Sequence, residues 1–126
     1  MFGFREFDAG PDPFGRKYAV ALKWLQTAIS VRGADAVDVK FVLADDSGAK
    51  MERTVALPHA ALREVCAQTA RAMDDAWCGR LARLRLERMI RTGEDLEKSI
   101  VTVPAAELRR LAGELAAIER AEAPKP

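Results

Sequence analysis

The sequence predicts an α+β domain, a small antiparallel sheet built on one β-hairpin (about residues 37–57) and packed against three to four helices. Three observations carry this reading. Apolar residues alternate on both sides of Asp46-Ser47-Gly48, apolar stripes of helical period fill the second half, and the length of 126 residues is that of one domain spanning the whole chain.

Residues 1–15 form a Gly/Pro/Phe-rich arm in which Phe2, Phe4, Phe7 and Phe14 surround Asp8, Pro11, Asp12 and Pro13. An irregular arm or a short strand followed by turns suits this composition. Burying a large apolar side chain is worth about 1.5–3 kcal/mol, so the arm is expected to pack on its own domain, with a partner surface as the alternative.

From residue 17 to 32 two periods compete. Tyr18, Val20, Leu22 and Trp24 alternate as in a strand, whereas Ala21, Leu25, Ala28 and Ile29 recur as in a helix, with Arg32 in its last turn and Gly33 to end it. We read helix over most of this stretch, and strand over 18–24 as the alternative.

The hairpin is the clearest element. Gly48 suits the left-handed position of a three-residue loop. Pairing Asp45 with Ala49 then sets Leu43 opposite Met51, Phe41 opposite Arg53, Val39 opposite Val55 and Val37 opposite Leu57. The other face carries Val42 with Glu52, Lys40 with Thr54 and Asp38 with Ala56, so one side is apolar and the other mostly polar. A slip of one residue would bring Lys40 against Arg53.

Pro58 suits the first turn of a helix whose stripe is Leu62, Cys66, Ala70 and Met73. Asp74 or Asp75 can cap a second helix over about 76–92, closed by Gly93. Ile100–Val103 is β-prone, and Pro104 opens a last helix with the narrow stripe Leu108, Leu111, Ala112, Leu115 and Ile118. A short tail, 122–126, should fray.

Composition excludes more than it selects. Twenty basic and nineteen acidic residues leave a net charge of +1, which gives no global attraction to nucleic acid or an anionic membrane. Fourteen of the basic residues are Arg, a bias that a GC-rich bacterial coding sequence explains as well as anion binding does. Neither a signal peptide nor an apolar run of membrane-spanning length is present, and the two cysteines, Cys66 and Cys78, read as free thiols on apolar helix faces. Cytoplasmic location is therefore expected.

No catalytic pattern emerges. His59, the one histidine, precedes Cys66 by two helical turns, about 10 Å of rise and too far for a hydrogen bond. Metal-ligand spacings, a Walker loop and a dinucleotide fingerprint are all missing, so no cofactor is expected. The remaining chemistry is cationic. Arg80, Arg83, Arg88 and Arg91 share or flank one face of the 76–92 helix, with Glu87 able to pair with Arg83 or Arg91. Arg85 falls instead among Cys78, Leu81 and Met89, and Arg53 projects from the apolar hairpin face. A guanidinium there either snorkels to an edge or lines an anion- or partner-binding concavity.

Three functions follow from these residues. The first is a non-enzymatic interaction or adaptor domain, self-associating through Leu108, Leu111, Leu115 and Ile118 unless that stripe packs on its own sheet. The alternative is a nucleic-acid or other anion binder using the arginines, and the third is an enzyme with an unrecognised site.

Overall fold

The computed structural model describes residues 2–29 and 35–122, and in them the chain is an α+β fold. Its elements are β1 (Glu6–Ala9), β2 (Tyr18–Ile29), β3 (Asp35–Asp45), β4 (Lys50–Pro58), α1 (His59–Thr69), α2 (Asp75–Thr92), β5 (Ile100–Thr102) and α3 (Ala105–Glu122). The strands form one sheet in the order β1-β2-β3-β4-β5.

The β3–β4 hairpin has the expected register, with Phe41 against Arg53, Val39 against Val55 and Leu43 against Met51. Gly48 has φ of 84° and donates its N–H to the Asp45 carbonyl, while Asp45 donates to Ala49. The Asp45 side chain accepts from the N–H groups of Ser47 and Ala49 and from the Ser47 hydroxyl, which fixes the turn and with it the register.

The stretch from Tyr18 to Ile29 is a strand, which bears out the alternative over 18–24 and overturns the helix favoured over most of it. A register shift between Leu22 and Trp24 is the reason. Tyr18, Val20 and Leu22 lie on the inner face. The extra residue, Lys23, then moves Trp24 to the outer face opposite Lys40 and brings Leu25 inward opposite Val39. Alternation thus restarts one residue late, and the Leu22-to-Leu25 spacing imitates a helical period. Arg32 and Gly33, assigned to the end of that helix, lie outside the described residues.

The sheet is mixed and not purely antiparallel. β1 to β4 form an antiparallel meander, but β5 returns after α1 and α2 and runs parallel to β4, with Val101 beside Val55. A parallel return needs a crossover long enough to carry helices, which α1 and α2 supply.

Three helices, the lower bound of the expected number, form the remaining layers. Asp74 caps α2 by accepting from the Trp77 N–H, and Gly93, with φ of 74°, closes it. Both helices lie on the inner face, where Val39, Phe41, Leu43, Val55 and Leu57 are fully buried with Leu62, Leu81, Leu86 and Met89. α3 rests on α1 and α2 as a third layer.

The arm packs on its own domain. Phe7 forms a T-shaped pair with Phe41, and Phe4 is buried with its ring against Gly79 of α2. A Cβ at Gly79 would overlap the Phe4 ring, so any larger residue would have to displace it. Phe14 is the exception, 83% exposed beneath the Arg16 guanidinium. Asp12, buried between the two prolines, ties the following loop by accepting from the N–H groups of Phe14 and Arg16 and from the Tyr18 hydroxyl.

Two glycine substitutions separate packing from helix propensity. Gly79→Ala should destabilise by about 1–3 kcal/mol through displacement of Phe4. Gly113→Ala on α3, where a Cβ meets nothing within 4 Å, should instead stabilise by about 0.5–1 kcal/mol. Urea unfolding of the two variants would show opposite shifts; equal shifts would contradict the packing of the arm.

Candidate functional site

The two arginines placed on apolar faces meet on one loop. Arg53 directs its Nε to the Leu96 carbonyl and donates from Nη1 to the Glu52 carbonyl at 2.7 Å. Arg85 is buried, and its Nη2 donates to Asp95 Oδ2 at 3.0 Å. Its Nε lies 3.1 Å from Glu107 Oε1, an ion-pair contact whose direction leaves that N–H without a hydrogen-bond acceptor. Together they fasten the turn that joins α2 to β5 and the first turn of α3. Asp95, with φ of 63°, is the strained residue of that turn. The Lys98 ammonium first, with a lesser contribution from Arg85, holds its carboxyl below the usual range against the upward push of burial.

The basic face of α2 is divided among acidic neighbours. Arg80 is 3.6 Å from Glu119, which also makes a bidentate pair with Arg71 at 2.7 and 2.8 Å. Arg83 pairs with Glu87 at 2.9 Å, donates to the Gly3 carbonyl at 2.6 Å and stacks over Phe2 and Phe7. Arg88 reaches Glu107 at 3.5 Å. Arg91 is exposed and makes no ion pair among the described residues. Three of the four arginines of the stripe are therefore held in ion pairs, and Arg83 also clamps the arm.

The stripe of α3 is likewise engaged. Leu108, Leu111 and Leu115 are buried within the chain, and Ile118 is half-buried. α3 contacts α1 and α2, and its three leucines join the same core cluster as the inner face of the sheet.

Nucleophilic chemistry finds little support at the cysteines. Burial, followed by the charge of Asp75, pushes the Cys78 thiol up to about 12, and burial also raises Cys66. Neither is a thiolate near neutral pH. No cluster of acidic, His or Cys residues suited to a metal ion occurs among the described residues. An open cleft of about 530 Å³ lies at the β1–β2–β3 end between Asp8, Lys17, Tyr18, Asp45 and Asp46. Asp45 is committed to the hairpin turn and the Tyr18 hydroxyl to Asp12, which leaves no nucleophile–base pair at its walls.

The side of the sheet away from the helices was legible in the sequence only on the hairpin, and the structure continues it across β1, β2 and β5. Strand parity places Glu6 and Asp8 of β1, Ala19, Ala21, Trp24 and Gln26 of β2, Asp38, Lys40, Val42 and Ala44 of β3, and Lys50 and Glu52 of β4 on this side. Even on the central strand these residues are half-exposed, whereas their inner neighbours are fully buried. Across it runs a row Trp24, Lys40, Thr54, Ile100, in which Thr54 is buried and Ile100 is 63% exposed. The Lys40 ammonium sits 5.4 Å from the Trp24 ring centre and 3.2 Å from Glu52, which also accepts from Lys23 at 2.8 Å. These two lysines, Lys23 first, lower the Glu52 pKa. Asp38 has the opposite shift, raised by burial. The signal for this surface was the slip in alternation at Lys23.

No protein-family model, curated protein sequence or solved structure matches the chain. Among the described residues, no helix is long and apolar enough to cross a membrane.

Arg85→Met should cost about 2–3 kcal/mol in urea unfolding, because Asp95 and Glu107 lose a buried cation. An unchanged midpoint would mean the clamp is dispensable. Acid should also weaken the fold. Asp12, Asp45, Glu52, Asp95 and Glu119 all have lowered pKa values when folded. Their contribution is complete above the unfolded range of about 4 and is lost as pH falls through the lower folded values. The urea midpoint should fall between pH 7 and pH 3, with Asp38 acting weakly in the other direction; a constant midpoint would contradict these pairings.

Proposed function

We propose that this chain is a non-catalytic protein-interaction domain that binds through the uncovered side of its sheet and the adjoining part of β2. The observation that carries the reading is the one-sided layering: α1 and α2 pack on the inner face and α3 on them. On the outer face Asp38, Lys40, Val42 and Ala44 of the central strand β3 stay half-exposed, while Ala36, Thr54 and Ala56 on the same face are buried. That face combines small apolar positions, Ala19, Ala21, Val42 and Ala44, with Trp24 and Ile100, and the ion pairs of Glu52 with Lys23 and Lys40 lie among them. An aromatic anchor set among apolar side chains and paired polar groups is a feature of protein interfaces.

Anion or nucleic-acid binding through Arg80, Arg83, Arg88 and Arg91 has less support. Three of these cations already face carboxylates, so a phosphate would have to displace Glu119, Glu87 or Glu107.

A photo-crosslinking amino acid placed at Trp24, with the exposed Arg109 of α3 as the control position, tests the reading in the native host. Position 24 should give adducts heavier than the 13.8 kDa chain, and position 109 should not. Equal yields at both positions, or none at 24, would contradict it.

A further inference from the structure

We propose that the free edge of β2 beyond the bulge pairs antiparallel with the same segment of a second copy, joining two five-stranded sheets about a two-fold axis. This rests on the protein-interaction reading and names the partner.

β2 outruns its neighbour. β1 pairs only with Tyr18 to Ala21, and the last bond on that side is from the Leu22 N–H to the Arg5 carbonyl at 2.8 Å. The direction of the later backbone groups follows from the hairpin. Asp45 turns its N–H and carbonyl toward β4, so Val39 and Val37 do the same and Lys40 and Asp38 turn toward β2. Trp24 and Gln26, opposite Lys40 and Asp38, therefore bond to β3. Leu25 and Thr27 between them direct N–H and C=O outward, where no described residue meets them. Thr27 is exposed although it points to the helix side of the sheet, so the helices do not cover this end.

Unpaired strand edges are normally guarded by shortness, charge, proline or a bulge. The other two edges obey this rule: β1 has four residues including Glu6 and Asp8, and β5 has three. The β2 edge does not. Its bulge and Lys23 lie before the free stretch, and Trp24 to Ile29 contains no charge, proline or glycine.

The occupant must be an extended, uncharged segment with free backbone groups. The same stretch of a second copy fits and is already held extended by β3, so its pairing costs little ordering. An axis through Gln26 sets Leu25 of each copy opposite Thr27 of the other, and each such pair exchanges two hydrogen bonds. The two Gln26 amides, each both donor and acceptor, then meet across the axis. The Lys23 residues fall at opposite ends, and no like charges face one another.

Light scattering after gel filtration tests this on the full chain. The wild type should have twice the 13.8 kDa chain mass at micromolar concentration. Thr27→Pro, which removes an outward N–H and no bond to β3, should run as a single chain with native circular dichroism, while Thr27→Val stays paired. Gln26→Lys and Gln26→Glu place like charges on the axis. Each alone should weaken pairing at least about tenfold, and a one-to-one mixture should restore it. A wild type that is a single chain at about 100 µM overturns the proposal, as does a mixture of the two charged variants that fails to reassociate. A single-chain wild type that still gives adducts from position 24 with another protein would remove this inference and leave the interaction reading standing.

Discussion

The inner row of β3 is the constraint from which the other elements take their positions. Val39, Phe41 and Leu43 are fully buried on the central strand, with β2 on one side and β4 on the other. Side chains alternate strictly along a strand, so sealing that row under α1 and α2 fixes the register of both neighbours and leaves Asp38, Lys40, Val42 and Ala44 on the opposite face. The turn at Asp45 to Ala49 locks the same register from outside the core. Phe41 also receives Phe7, through which the arm and Arg83 are drawn onto the sheet.

Against this fixed strand, β2 has to absorb one residue too many, and the bulge at Lys23 is where it does so. Lys23 then reaches Glu52, Trp24 moves to the open face beside Lys40, and Leu25 returns to the core side. β1 ends just before this point. The bulge thus divides β2 into a half paired on both edges and a half paired on one.

How legible each part was depends on whether its determinants are local. The hairpin was readable because alternation and a turn glycine specify it within one segment. The capping Asp74, the closing Gly93 and β5 were readable for similar reasons. β2 was misread as helix because a bulge changes the phase of alternation, and a single-residue slip resembles a helical step. Gly79 gave no local sign of its role, which is set by Phe4 far away in sequence. The arginines were found as residues, but their partners at Asp95, Leu96, Glu107 and Glu119 come from other segments that only the fold brings near. A free edge is harder still to read, because it is defined by where a neighbouring strand stops.

Residue-resolved amide exchange in β2 bears most directly on this account. The N–H groups of Trp24 and Gln26, bonded to β3, should be slow to exchange at every protein concentration. Those of Leu25 and Thr27 should be fast in dilute solution and become protected as concentration rises, because only a second copy supplies their acceptors. Equal protection of all four amides at low concentration, or rapid exchange at Leu25 and Thr27 in concentrated solution, would contradict it.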